Sequence, residues 1–256
     1  MENVEEAMYI DAHNHLDFYG ENIGKALNII KQNNIVTLGC AMDVETYLFT
    51  KEISKNNPLI IPCFGIHPWK AHENFMNLDS FEQYIKEAKV IGEIGLDYYW
   101  VEEKEKYTYM KQVFSYFLKM AYKYNKVTNM HTKGAEEEIY ESIKKYELRT
   151  PIIHWYSGPL DILKKLSDYG CYFTISVDIG YSKLTEEIVK TLPLNRILTE
   201  TDGPTSLEWV NGQYGYPDEV KNIVNQVAII KNLPYEEVKH TIAENFKKAG
   251  VSNEYC

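Results

Sequence analysis

The sequence predicts a single α/β domain, a (β/α)8 barrel of the TIM type, and three observations support that fold class. The chain of 256 residues has the length of one such barrel. Eight short apolar segments alternate with segments of helical periodicity, the pattern of a parallel sheet covered by helices. Histidines and carboxylates follow most of these apolar segments, at the strand ends where such barrels place their active sites.

The predicted strands are mostly continuous apolar runs, as expected for strands that are buried on both faces. In order they are Tyr9–Ala12, Ile35–Cys40, Leu59–Phe64, Val90–Ile94, Val127–Met130, Pro151–His154, Tyr172–Ser176 and Arg196–Thr199. The predicted helices between and after them are Gly24–Asn33, Lys104–Tyr124, Gly134–Tyr146, Pro159–Tyr169, Thr185–Leu192, Pro217–Lys231 and Pro234–Lys248. Gly170 stands where a glycine ends a helix.

Composition narrows the class of protein. No linker-like segment interrupts residues 1–256, so we expect one domain, and no apolar run approaches the ~20 residues of a membrane span. Met1–Ala7 does not resemble a secretory signal. The four cysteines form no CxxC pair, which favours a reducing cytoplasm; they are Cys40, Cys63, Cys171 and Cys256. The net charge of -10 argues against general binding to a nucleic-acid backbone.

Two histidines end the first predicted strand. His13 and His15 are two positions apart, so strand alternation directs both side chains to one face, here the barrel interior. Two imidazoles on one face can hold one metal ion. An isolated His-x-His pair is also common without a metal, and its position after the first strand favours the metal site.

A carboxylate and two more histidines end the fourth, fifth and sixth strands. Glu93 lies between Gly92 and Gly95, and a carboxylate directed into a barrel mouth is costly unless it is paired or metal-bound. Its two oxygens can bridge two ions, although a salt bridge to a lysine is an alternative. His131 and His154 follow on the next two strands. Each alone is consistent with a core histidine, but together with Glu93 they indicate metal ligands.

Asp202 follows the eighth strand and precedes Gly203-Pro204. An aspartate at this position can bind a metal ion and accept a proton from a water molecule that the ion acidifies. Glu200 is predicted to orient a ligand or to serve a structural role. We therefore predict Asp202 and Glu93 as catalytic residues.

Other residues of the same loops are candidates for substrate binding. His67 precedes Pro68 after the third strand, and a phosphate contact, a metal ligand and a structural role are all open for it. Lys133 is a candidate phosphate contact, with a solvated lysine as the alternative. Trp155 and Tyr156 belong to a group of loop aromatics that can stack nucleobases or simply pack the loops. His72 and His240 are predicted surface residues.

Together these residues resemble the TatD family of metal-dependent deoxyribonucleases, within the amidohydrolase-like barrels. The matching segments occur in family order: Asp11-Ala12-His13-Asn14-His15-Leu16-Asp17, Gly65-Ile66-His67-Pro68, Gly92-Glu93-Ile94-Gly95-Leu96-Asp97, His154-Trp155-Tyr156-Ser157-Gly158 and Glu200-Thr201-Asp202. The resemblance implies a metal-dependent hydrolase with two divalent ions, Mg²⁺ or Mn²⁺ in function and Zn²⁺ as a further possibility. The implied ligands of one ion are His13, His15, Glu93 and Asp202, and those of the other are Glu93, His131 and His154. It also implies cleavage of single-stranded DNA from a 3′ end.

The chain departs from the family pattern at three places. His131-Thr132-Lys133 replaces the usual His-x-Arg, so the charge is kept but the bidentate fork of arginine is lost. His-Trp-Tyr-Ser-Gly and Glu-Thr-Asp-Gly-Pro resemble a subgroup that includes the TatD-type component of the Qat anti-phage defence system, which implies protein partners. Two alternatives stay open: a hydrolase of a small ester, amide or phosphoester, and a partner-dependent subunit of a defence complex.

Overall fold

A barrel of eight parallel strands forms the centre of the molecule, which confirms the predicted fold class. The computed structural model describes residues 8–251, so Met1–Ala7 and Cys256 lie outside the described residues. Within this part the strands pair in chain order. They are β1 (Tyr9–Asn14), β2 (Ile35–Cys40), β3 (Ile60–Phe64), β4 (Val90–Asp97), β5 (Val127–Lys133), β6 (Ile152–Ile153), β7 (Tyr172–Ile175) and β8 (Ile197–Thr199). All eight predicted strands are present, with differences only at their ends.

Helices cover the outside of the barrel. The α-helices are α1 (Ile23–Gln32), α2 (Val44–Ser54), α3 (Ala71–Asn74), α4 (Glu82–Glu87), α5 (Tyr107–Tyr124), α6 (Glu136–Lys145), α7 (Leu160–Tyr169), α8 (Lys183–Thr191), α9 (Thr205–Asn211), α10 (Val220–Lys231) and α11 (Tyr235–Lys248). Short 3-10 helices span Leu16–Asn22, Pro68–Lys70, Leu78–Phe81, Lys104–Lys106, Leu194–Arg196 and Pro217–Glu219. Each predicted helix is present, and Gly170 ends α7 in the left-handed conformation at φ 116°.

Four helices were not predicted, and α2 shows why. It begins with a capping box, in which Asp43 Oδ1 accepts from the N–H of Thr46 at 3.0 Å and Thr46 Oγ1 accepts from the N–H of Asp43 at 3.1 Å. Its buried residues are Tyr47 and Thr50 alone, so the helix has no apolar stripe that a period of 3.6 would reveal. The short helices α3, α4 and α9 span too few turns to show a period.

The two ends of the strand order, β8 and β1, are joined by the segments that follow the strands. The backbone N–H of Asp202 donates to the carbonyl of His13 at 2.9 Å. Asp11 accepts from the backbone N–H of Thr201 at 2.8 Å and from its hydroxyl at 2.7 Å. Burial raises the pKa of Asp11 to about 7, although these hydrogen bonds act in the opposite direction. These contacts fix Asp202 against the end of β1.

Two further features bear on the composition: the state of the cysteines within the described residues and the length of the apolar helices. Cys40, Cys63 and Cys171 are buried free thiols. Among residues 8–251, no helix is both long enough and apolar enough to cross a bilayer.

Candidate metal centre

Glu93 lies at the centre of a group of imidazoles at the carboxyl ends of the strands. Its Oε2 is 3.3 Å from Nε2 of His13 and 3.3 Å from Nε2 of His15. Its Oε1 is 2.9 Å from Nδ1 of His131 and 3.3 Å from Nε2 of His154. All five side chains are buried. Of these four histidines, two therefore face each oxygen of the carboxylate.

The chemistry of this group fits divalent metal ions. Oε2 of Glu93 is buried and has no hydrogen-bond partner of acceptable geometry, despite the two imidazole nitrogens 3.3 Å away. Burial alone would raise the pKa of Glu93, but the surrounding histidines hold it well below its usual range, so the carboxylate is ionised. Nitrogen and carboxylate lone pairs converging on a buried point are the donors that Zn²⁺ or Mn²⁺ requires.

His13 in β1 and His15 just after it are oriented by hydrogen bonds on the side of each ring that faces away from Glu93. Nδ1 of His13 donates to Oδ1 of Asn129 at 2.8 Å, and the amide of Asn129 is held in turn by the carbonyl of Ala12 at 2.7 Å. Nδ1 of His15 donates to the carbonyl of Cys40 at 3.1 Å. Because Nδ1 donates in each ring, Nε2 is the nitrogen that faces Glu93, and it offers a lone pair to a metal ion when the ring is neutral.

Two carboxylates orient His131 and His154, the histidines that face Oε1 of Glu93. Oδ2 of Asp97 lies 2.9 Å from Nε2 of His131, which leaves Nδ1 facing Glu93. Glu200 lies 3.3 Å from Nδ1 of His154, which leaves Nε2 facing Glu93. Carboxylates behind ligating histidines are typical of metal sites because they fix the tautomer and raise the basicity of the ring.

Asp202 completes the side of the centre formed by β1. Its Oδ1 lies 3.4 Å from Nε2 of His15 and 3.8 Å from Nε2 of His13. The residue adopts a left-handed conformation with φ 46°, which aspartate tolerates better than most residues. Asp202 retains 8% of its accessible surface, so a water molecule or substrate can reach the carboxylate.

The geometry agrees with a comparison of the whole chain with known families. A model of the TatD-related DNase family matches residues 10–249. The chain belongs to this family. The predicted type of enzyme, a metal-dependent hydrolase of the TatD family, is thereby confirmed.

Similar proteins occur in distant organisms. The uncharacterized metal-dependent hydrolase MJ1582 of Methanocaldococcus jannaschii is 28% identical over 251 residues, covering 94% of this chain and 96% of its own. A candidate deoxyribonuclease of Enterocytozoon bieneusi, a TATDN1 homolog, is 29% identical, covering 84% of this chain and 85% of its own. The crystal structure of YJJV, a TatD homolog from Escherichia coli K12, superposes with a TM-score of 0.86 at 21% identity, covering 94% and 97%. At that identity the superposition shows the fold alone.

In this TatD barrel His67 also faces Glu93, but with a different tautomer. Its Nε2 lies 3.3 Å from Oε1 of Glu93, and its Nδ1 accepts from the backbone N–H of Trp69 at 3.2 Å. Burial lowers the pKa of His67 to about 4, so the ring is neutral and carries its proton on Nε2. His67 therefore presents a donor to the centre, which suits contact with a phosphate oxygen better than binding of a metal ion.

The other predicted substrate-binding residues, Lys133, Trp155 and Tyr156, differ in how accessible they are to a ligand. Nζ of Lys133 donates to the carbonyl of Trp155 at 2.7 Å and to the hydroxyl of Ser157 at 3.0 Å. Burial lowers the pKa of Lys133. Trp155 is half-buried beneath this ammonium group. Tyr156 is buried, donates to the carbonyl of Pro159 at 2.6 Å and packs edge-on against a core ring, so it presents no open face to a ligand.

Among the side chains that orient the histidines, the sequence indicated Glu200 but not Asn129 or Asp97. The pattern predicts Asn129 only as part of a strand, and it gives Asp97 only as the last residue of a segment that matches the family. A polar residue inside an apolar strand, as in Val127-Thr128-Asn129-Met130, was the available signal, because a buried amide needs partners. His72 and His240 lie apart from the centre; His72 is half-buried beside Glu73, and His240 is exposed.

Proposed function

We propose that this protein is a divalent-metal-dependent phosphodiesterase that cleaves single-stranded DNA from its 3′ end. The observation that carries the proposal is the division of ligands around Glu93. Oε2 of Glu93 lies 3.3 Å from Nε2 of His13 and of His15, whereas Oε1 lies 2.9 Å from Nδ1 of His131 and 3.3 Å from Nε2 of His154. Two groups of donors that share one carboxylate suit a pair of ions.

We assign the metal ligands from the position of the proton on each imidazole ring. One ion would be held by His13, His15, Glu93 and Asp202, and the other by Glu93, His131 and His154. His67 is left out because its inward nitrogen carries a proton. When bound, such ions acidify a water molecule and neutralise charge on a phosphate. The histidine content favours Mn²⁺ or Zn²⁺ over Mg²⁺ in affinity, although availability in the cell decides which is used.

The protein groups have separate tasks in hydrolysis. The carboxylate of Asp202 accepts the proton of the water that attacks phosphorus, and it returns this proton to the leaving oxygen as the P–O bond to that oxygen breaks. His67 donates from Nε2 to a non-bridging oxygen of the phosphate. The ammonium group of Lys133 has three N–H donors. Two of them donate to the carbonyl of Trp155 and the hydroxyl of Ser157, so the third is left for a phosphate of the strand.

The substrate class rests on the loops of the barrel mouth. Exposed aromatic side chains follow several strands in the loops of the mouth: Phe18, Trp69, Tyr99, Trp100 and Tyr181. Aromatic faces stack the bases of single strands, whereas bases inside a duplex are not available for stacking. The net charge of -10 also disfavours a long duplex. The DNase in the family description and the TATDN1-like relative support DNA as the substrate.

One observation favours a smaller substrate. Lys133 is engaged by Trp155 and Ser157 and replaces a family arginine, so the mouth offers little positive charge to a polyanion. A small phosphoester, ester or amide is therefore the second candidate substrate. We base a further candidate role, anti-phage defence together with partner proteins, on the resemblance to a component of the Qat defence system. Copurification of this protein with the products of neighbouring genes tests that role.

Metal-stripped protein, end-labelled single-stranded DNA and added Mg²⁺, Mn²⁺ or Zn²⁺ test the function. The expected result is a ladder of products that starts at the 3′ end and requires metal. Asp202→Ala should give no ladder, whereas His240→Ala, which changes an exposed histidine, should cleave like the parent. Turnover of chromogenic esters without any cleavage of DNA would favour the small-molecule hydrolase.

A further inference from the structure

A cleft beside the metal centre is lined by two tryptophans. It has a volume of about 360 Å³ and is lined by Pro68, Trp69, Trp100, Val101, Glu103 and Lys106. Pro68 and Val101 are buried, whereas Trp69 and Trp100 expose 40% and 63% of their surface. The volume lies in the range of about 300–1,000 Å³ typical of small-molecule sites. The cleft is thus an open, largely apolar space with two accessible indole rings.

Contacts of Trp69 connect this cleft to the candidate catalytic centre. Its ring lies edge-on to His67 with centroids 4.7 Å apart, and 6.4 Å from the ring of His131. Its Nε1 donates to Oδ2 of Asp97 at 2.8 Å, the same oxygen that holds His131. A ligand in the cleft therefore lies next to the residues that face the phosphate.

Asp97 also fixes the second tryptophan. Its Oδ1 accepts from the backbone N–H of Trp100 at 2.8 Å and from that of Tyr99 at 2.9 Å. One carboxylate thus holds Trp69 through the indole and Trp100 through the main chain. Such a cleft is built before the ligand arrives, which lowers the entropic cost of binding.

The residues that line the cleft favour a flat ring with polar atoms at its edge. Indole faces favour aromatic rings, and stacking on them tolerates any base because every base has a π face. Glu103 and Lys106 form an ion pair of 3.0 Å, which offers an acceptor and donors to the edge of a ring. A nucleobase matches both features, whereas an aliphatic group matches neither the indoles nor the ion pair.

We propose that the cleft between Trp69 and Trp100 binds one base of the substrate strand, adjacent to the phosphate at the metal centre. This proposal rests on the proposed nuclease function and adds the position at which the enzyme recognises a base. Trp209 on α9 is 68% exposed but lies outside the lining of the cleft, so it serves as the matched control.

The first test compares two strands that differ in one base. One is an end-labelled oligothymidylate, and the other carries an abasic tetrahydrofuran residue in place of its 3′-terminal nucleotide. Because stacking of one base is worth a factor of roughly ten, Trp100→Ala should lower kcat/KM on the first strand by about that factor. It should leave the abasic strand unchanged, and Trp209→Ala should change neither. Equal losses on both strands, or no loss on either, would overturn the proposal.

A binding measurement separates this proposal from the nuclease function. Tryptophan fluorescence is titrated with adenosine 5′-monophosphate and with ribose 5-phosphate in the presence of EDTA, so no turnover is required. Quenching by the nucleotide alone, lost in Trp100→Ala and kept in Trp209→Ala, supports the cleft even where DNA is not cleaved. Absence of base-dependent quenching in the parent protein refutes the cleft even where DNA is cleaved.

Discussion

Asp97 and His131 share a hydrogen bond of 2.9 Å on the side of the imidazole that faces away from Glu93. The ring is thereby held between two carboxylates, with Nδ1 2.9 Å from Oε1 of Glu93. Burial would raise the pKa of Asp97, but this bond and further donors, Trp69 among them, lower it to about 2. Asp97 is therefore ionised at neutral pH and fixes both the tautomer and the angle of His131.

Removal of this carboxylate should weaken metal binding. Asp97→Ala is expected to lower the affinity for Mn²⁺ or Zn²⁺ by roughly 10- to 100-fold, because His131 loses the partner that orients its ring. Isothermal titration of the metal-stripped protein measures the change. Asp218→Ala, at an exposed aspartate on the 3-10 helix before α10, should bind metal like the parent. An unchanged affinity in Asp97→Ala would contradict the orienting role.

Asp202 should matter more for turnover than for folding. Asp202→Asn keeps the size of the side chain but removes the base, so kcat should fall by roughly 10²- to 10⁴-fold. The melting temperature of the metal-free variant should stay near that of the parent, because Asp202 is bonded to β1 through its backbone N–H. Steady-state kinetics and thermal unfolding test the two statements, and a large loss of stability with retained kcat would reverse the assignment.

The metal-free and metal-bound proteins should respond to pH in opposite directions. Burial lowers the pKa of His15, but the hydrogen bond and charge of Glu93 outweigh it and raise the pKa above 6.5. The pKa of His131 is raised in the same way by Asp97 and Glu93. A raised folded-state pKa gives stability that is complete below pH 6.5 and is lost as pH rises through the folded pKa.

Metal binding requires neutral imidazoles, so the stabilisation by metal should grow over the same pH range in which the metal-free protein loses stability. Thermal unfolding from about pH 5 to pH 8, with and without Mn²⁺, measures both slopes. Glu93→Gln removes the charge that raises these pKa values and should flatten the slope of the metal-free protein. Parallel slopes with and without metal would contradict the expected competition between protons and metal.

Asp11 should stabilise the join between β8 and β1. Asp11→Ala leaves the backbone N–H and hydroxyl of Thr201 without their partner, and each unsatisfied buried group costs about 1–3 kcal/mol. We expect a loss of about 3 kcal/mol in the free energy of unfolding, measured by urea denaturation of metal-free protein. Asp79→Ala, at an exposed site, is the control. A loss equal to that of the control would show that other contacts close the barrel.

The sequence predicted the strands well because burial on both faces makes them continuous apolar runs. It missed α2, whose stability begins with the capping of Asp43 and Thr46 rather than with a buried stripe. It indicated the residues that surround Glu93, because each lies at or just beyond the carboxyl end of a strand. It could not reveal that Asn129 holds His13, since that bond joins residues 116 positions apart.

The aromatic residues also show what the sequence alone cannot reveal. The composition of the loops indicated stacking surfaces, but only packing separates Tyr156, whose ring is covered, from Trp100, whose ring is open. Which aromatic side chain is available depends on what the next strand places against it, here Phe173 of β7 beneath Tyr156. That information is not local in the chain.

The join between the last and first strands also sets the time at which this protein can acquire activity during synthesis. Thr201, beside Asp202, is bonded to Asp11 across 190 positions of the chain. A nascent chain that has emerged only as far as β7 carries the histidines but not Asp202. The barrel therefore stays open until β8 has emerged and docked, and the candidate metal centre gains Asp202 last of its ligands.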